Sequence, residues 1–134
     1  MAFKTLITVD ELAANLDNPD FVIFDCRHEL TNPDFGKAEY AKSHLPRAHF
    51  ASVDHDLSSR PTGGNGRHPL PSPDVFAAWL ASKGVSGSTQ VIGYDSAAGV
   101  YGSRLWWMLR WLGHDAVAVL DGGWQAWIDR KSVV

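Results

Sequence analysis

The chain of 134 residues carries 12 basic and 15 acidic side chains, a formal net charge of −3, with 45% hydrophobic and 20% charged residues. Such a length makes one domain with a core of its own, and so weak a charge offers no field for nucleic acid or an anionic membrane surface. A single cysteine, Cys26, excludes an internal disulfide framework, and no run approaches the ~18 apolar residues of a membrane span. The N-terminus, MAFKTLITVDEL, has no apolar signal region, so a cytoplasmic protein is expected.

Lys4 to Ile7 reads as a short strand. Thr8 with Glu11 three residues later forms a capping box that starts a helix reaching about Leu16, and Asn18-Pro19 closes it. Phe21 to Cys26 (FVIFDC) is a continuous apolar run ending in charge, as in a central parallel strand buried on both faces. Alternation along it places Cys26 with Val22 and Phe24, a thiol packed as a small hydrophobe. Asp25 and Arg27 fall on one face at the strand end, the arrangement of a structural ion pair. The following stretch to Pro71 shows no strong period. It holds Asn32-Pro33, Leu45-Pro46, the glycine-rich Thr62 to Gly66 and Pro69-Leu70-Pro71, and reads as a long, functional loop region.

Ser72 is a helix N-cap with Pro73 at the first helical position, the helix running to about Lys83 before Gly84. Thr89 to Tyr94 (TQVIGY) is a buried strand, Asp95 to Gly102 a loop of small residues, and Ser103 to Leu112 a helix ending at Gly113. Such a strand-loop-helix junction turns backbone N–H groups toward one spot and makes a seat for an anion. The helix carries Trp106, Trp107 and Trp111 on more than one face, so one indole is expected at the surface as an interface residue. Ala116 to Leu120 is a further buried strand, and Asp121-Gly122-Gly123 turns into a last helix. Alternating strands and helices imply an α/β fold, a single domain over 1–134 with a mainly parallel central sheet flanked by helices on both faces.

Seven blocks in order, FDCRHEL, AEYAKSHLPRAHF, DHDLS, GRHPLP, VIGYD, SRLWWMLRWLGH and VLDGGWQAW, make the chain resemble the rhodanese superfamily. Within it the chain is most similar to the first domain of tandem-domain thiosulfate or 3-mercaptopyruvate sulfurtransferases. The resemblance implies sulfur transfer through a cysteine persulfide on the loop after the VIGY strand. A loop thiolate takes sulfur from a small sulfur-containing donor and passes it to a nucleophilic acceptor.

Asp95 stands where that cysteine belongs, and Gly99 lies four residues beyond it where the active pattern has glycine at three. The resemblance therefore implies a non-catalytic domain whose partner is a second, catalytic rhodanese domain in the same or another chain. By the residues alone Asp95 is either a relic shaping a domain interface or a carboxylate accepting loop N–H bonds, and the latter is favoured. His68, set before Pro69, and Asp56 match loop residues that face the companion's cysteine in mercaptopyruvate-type members, the Asp orienting the His as base. The alternative for both is a solvated loop.

Three other chemistries are set aside. Gly63-Gly64-Asn65-Gly66 lacks the ending of a phosphate loop, the histidines show no two-His helical spacing, and the first arginine after Asp95 is Arg104, too late to close a phosphatase-like loop. No cofactor and no metal are expected. The rival to the sulfurtransferase reading is a stand-alone binding or regulatory module that uses the anion seat to recognise a partner, with self-association into a homodimer through the exposed tryptophan face as one form of it.

Overall fold

A computed structural model describes residues 2–59, 64 and 68–133. The strands are β1 (Leu6–Ile7), β2 (Phe21–Asp25), β3 (His49–Phe50), β4 (Gln90–Tyr94) and β5 (Val117–Leu120). The helices are α1 (Val9–Ala13), α2 (Phe35–Lys42), α3 (Pro73–Ser82), α4 (Val100–Trp111) and α5 (Gly123–Val133). All pairings are parallel, in the order β1-β5-β4-β2-β3.

Local chemistry starts α1 and α3 where the sequence marks them, although α1 ends at Ala13 rather than about Leu16 and β1 begins at Leu6 rather than Lys4. Thr8 Oγ1 accepts from the Glu11 amide at 3.1 Å, and Glu11 Oε1 accepts from the Thr8 amide at 2.9 Å, the reciprocal bonds of a capping box. Ser72 caps α3 through the Val75 amide, with Pro73 in the first turn. The expected irregular stretch contains α2 and β3, neither of which shows in the pattern. Helix α2 buries only Gly36 among its residues, so it has no apolar stripe to read. Gly36 is required there, since a Cβ would overlap the carbonyl oxygen of Arg27. The glycine-rich segment lies outside the described residues except for Gly64. Helix α4 also begins three residues earlier than expected, at Val100.

Strand alternation divides the core between the two sheet faces. Phe24, Cys26, Val91 and Val117 pack with Phe76 and Leu80 of α3 and Leu105, Met108 and Leu109 of α4. Ile23, Ile92, Tyr94, Ala118 and Leu120 pack on the other face with Leu12 of α1 and Trp127 of α5. Helices thus cover both faces, as a parallel sheet buried on both sides requires.

The ends of β2 and β4 are tied together by charge. Asp25, fully buried, accepts from Arg27 Nε at 3.0 Å, Arg27 NH2 at 2.7 Å and the Tyr94 hydroxyl at 2.8 Å. Arg27, itself 2% exposed, also donates to the Ser43 carbonyl at 2.6 Å and stacks 4.1 Å from the Trp124 ring. Burial, and next the Asp25 charge, pushes the Tyr94 phenol far up, so it remains a donor. Arg27→Met would leave the Asp25 charge without its partner. A loss of about 3–5 kcal/mol in urea unfolding is expected; a loss below about 1 kcal/mol, the size of a surface pair, would show that the ion pair does not hold this corner.

Candidate functional site

Parallel α/β sheets bind ligands beyond the carboxyl ends of their strands, where successive connections leave in opposite directions. Here the chain leaves β2 toward β3 and leaves β4 toward β5. The crevice therefore falls between the segment after β2, with Arg27 and His28, and the loop after β4, which starts at Asp95. Tyr101 closes the gap, its ring meeting His28 edge-on at 4.9 Å.

Asp95 is 1% exposed, and its carboxylate collects four amides. Oδ1 accepts from Ala97 and Gly99, each at 2.9 Å; Oδ2 accepts from Tyr101 at 2.8 Å and Gly102 at 2.7 Å. The N–H groups at the start of α4 would otherwise lack partners. The anion seat read from the sequence thus exists, and the chain's own side chain fills it.

The loop reaches this shape through two consecutive left-handed residues, Ala98 (φ 58°) and Gly99 (φ 89°). Alanine occupies the left-handed position three residues after Asp95, at a conformational cost of about 1–2 kcal/mol. Two close approaches complete the cradle. Gly102 brings α4 onto the carboxylate, and at Gly123 a Cβ would overlap the Asp95 carbonyl oxygen, which accepts from the Trp124 amide at 2.9 Å.

The remaining site residues are brought together only in part. His68 Nε2 lies 2.8 Å from Asp54 Oδ1. The expected partner, Asp56, does not orient His68; its Oδ2 accepts from the Ser52 amide at 2.8 Å and closes its own turn. Reciprocal bonds with the Ser52 backbone commit Asp56, whereas Asp54 reaches across to His68. Arg104 holds the surrounding backbone, its NH2 donating to the carbonyls of Leu57 and His68 at 2.8 Å each. Burial lowers the Arg104 pKa.

His28, absent from the sequence reading, sits 9% exposed with its ring 5.6 Å from that of His68. Its position three residues past the buried Asp25 marked it as a strand-end residue at the crevice. Cys26 is fully buried in the core, remote in character from a nucleophile: burial first, then the charges of Asp25, Asp95 and Asp56, push its thiol well up. Trp106 is partly buried and donates to the Lys4 carbonyl at 2.8 Å, while Trp107 and Trp111, stacked at 6.0 Å, are both exposed rather than one alone.

The architecture is that of an α/β domain with an amide-lined anion loop at its switch point. Residues 8–130 match the family model of the rhodanese-like domain, and the chain belongs to that family. It is 43% identical over 129 residues to the Pseudomonas aeruginosa protein named "Probable 3-mercaptopyruvate sulfurtransferase", covering 95% of this chain and 45% of that protein. Thiosulfate/3-mercaptopyruvate sulfurtransferase 2 of Arabidopsis thaliana is 37% identical, with 92% of this chain and 36% of that protein covered. Among solved structures, 3-mercaptopyruvate sulfurtransferase from Leishmania major superposes with a TM-score of 0.85 at 39% identity over 98% of this chain and 35% of that one. The Escherichia coli 3-mercaptopyruvate sulfotransferase gives 0.83 at 31% identity over 96% of this chain and 49% of that one. The chain spans less than half the length of these relatives.

Two outcomes follow from this geometry. Asp95→Asn keeps the shape but presents an NH2 group to two of the four amides, and an unsatisfied buried donor costs about 1–3 kcal/mol. Chemical denaturation should show a loss of at least about 2 kcal/mol, and equal stability of the two proteins would mean the amides are served by water. For Cys26, the unfolded thiol ionises from about pH 8.5 while the folded one stays protonated. The unfolded state then binds fewer protons, so stability falls as pH rises through that range. Cys26→Ala should flatten the slope of unfolding free energy between about pH 8 and 9.5, and an unchanged slope would assign it to other groups.

Proposed function

We propose that this domain is the non-catalytic half of a sulfurtransferase, working with a second rhodanese domain, in the same or another chain, that bears the persulfide-forming cysteine. The supporting observation is the Asp95 carboxylate. A persulfide mechanism needs a thiolate in the loop cradle, and here all four converging amides already serve a group that cannot carry sulfur. A buried negative charge in the seat also opposes entry of anionic thiosulfate. The contribution left to this domain is the His68–Asp54 pair. With its Nε2–H held by the carboxylate, the imidazole keeps a lone pair on Nδ1 and can serve as base toward the companion's thiol, Asp54 setting the tautomer. Small sulfur-containing substrates, thiosulfate or 3-mercaptopyruvate, and a cytoplasmic setting belong to the same proposal.

A second reading, a stand-alone binding module or homodimer, is favoured by the exposed apolar surface of α4. Val100, Trp107 and Trp111 are 61%, 47% and 38% exposed, and a cleft of about 580 Å³ lies beside Gly99, Ser103 and Trp106. One assay separates the readings. The purified chain is expected to show no thiosulfate:cyanide or 3-mercaptopyruvate turnover. Adding a rhodanese domain that carries the loop cysteine should produce turnover that His68→Ala lowers. Activity of the chain alone, lost on Cys26→Ser, would overturn the proposal; added activity indifferent to His68 would leave only the binding module.

A further inference from the structure

The histidine pair beside the crevice supports a chemistry that a base dyad does not exhaust. One ring nitrogen each from His28 and His68 and a carboxylate oxygen of Asp54 all lie within 4.8 Å of one another. We propose that these three side chains form a zinc site, binding one Zn²⁺ through two imidazoles and one carboxylate, with solvent completing the coordination.

Ligand type, spacing and support each favour it. Two imidazoles with one carboxylate suit zinc and its transition-metal neighbours rather than magnesium or calcium, which take oxygen. Zinc bonds of about 2.0–2.2 Å place tetrahedral ligand atoms roughly 3.4 Å apart. His68 Nε2 and Asp54 Oδ1 are already closer than that, at 2.8 Å, because a hydrogen bond joins them. The ion would take the place of the shared proton, and His28, whose ring nitrogen lies within 4.8 Å of both, would supply the third ligand.

Each ligand comes from a segment with its own restraint, so little ordering cost falls on binding. His28 follows the buried Asp25–Arg27 pair and is held by the Tyr101 ring. The His68 backbone is fixed by Arg104 on its carbonyl and by the Ser59 amide on the Pro69 carbonyl at 2.8 Å. Asp54 belongs to the turn closed by Asp56 on the Ser52 amide. An ion would reach the site from the side of Asp54 and His68, 34% and 19% exposed, with His28, 9% exposed, on its inner side.

No spacing rule reveals such a site, since its ligands stand 26 and 14 residues apart, His28 after β2 and the other two in the connection from β3 to α3. The site does not depend on the sulfurtransferase reading. It bears on it nonetheless, because zinc on His68 would remove the imidazole from base chemistry and make the metal an antagonist of that role.

The test is a calorimetric titration of the whole chain with ZnCl₂, with MgCl₂ as control, together with the visible spectrum after CoCl₂ addition. Saturable uptake of one zinc is expected, with no magnesium response and a cobalt spectrum of low coordination number. His28→Gln, His68→Gln and Asp54→Asn should each weaken zinc binding by at least about tenfold, the loss that even an outer-sphere partner produces. NMR of the unmodified protein, in which the His28 and His68 ring signals must shift together on adding zinc while those of His44 and His55 stay, covers the case of a variant that fails to fold. Absence of saturable binding, or binding indifferent to His28→Gln, or ring shifts confined to other histidines, would overturn the proposal.

Discussion

The buried pair of Arg27 and Asp25 fixes the corner on which the crevice is built. Taking both charges out of water is costly, and the cost is offset only when every remaining lone pair and proton is also served. Asp25 meets this condition through Arg27 and the Tyr94 hydroxyl, and Arg27 through the Ser43 carbonyl and the Trp124 face. Those partners lie on β2, on β4, after α2 and at the start of α5. One ion pair therefore joins the strand ends that carry His28 and Asp95 to the helices flanking them.

Asp95 solves the same problem by other means. Instead of a cation it uses the amides opening α4, whose partial positive charge favours an anion at that end. Two buried carboxylates thus stand at adjacent strand ends with different counter-groups, one answered by a guanidinium and one by the backbone. The first is structural by its full set of partners. The second fills the anion seat at the opening of α4, and the loop holds the left-handed turn at Ala98 and Gly99 that aims the amides inward.

Much of the fold was legible because its signals are local. The Thr8–Glu11 box, Ser72-Pro73, and the apolar runs of β2, β4 and β5 each follow from a few neighbouring residues. Helix α2 and strand β3 escaped because their reasons are distant: α2 is placed by Gly36 passing under the Arg27 carbonyl, and β3 is two residues registered against Phe24 and Asp25. The site divides along the same line. The anion seat is readable from a strand, a run of small residues and a helix. That Asp54 rather than Asp56 serves His68, and that His28 joins them, depends on how a long loop folds back, which no spacing encodes.

The self-filled cradle also constrains how this domain can change by descent. A cysteine at position 95 would introduce a thiol at the cradle, yet the same substitution would withdraw both carboxylate oxygens from four amides and leave α4 poorly capped. Proteins lie only a little above the stability they need, so the intermediate sequence would stand in a valley unless a compensating change, such as relief of the strain at Ala98, came first. The order of substitutions, and not the reach of any single one, then governs whether a lineage holding this loop could acquire a nucleophile there.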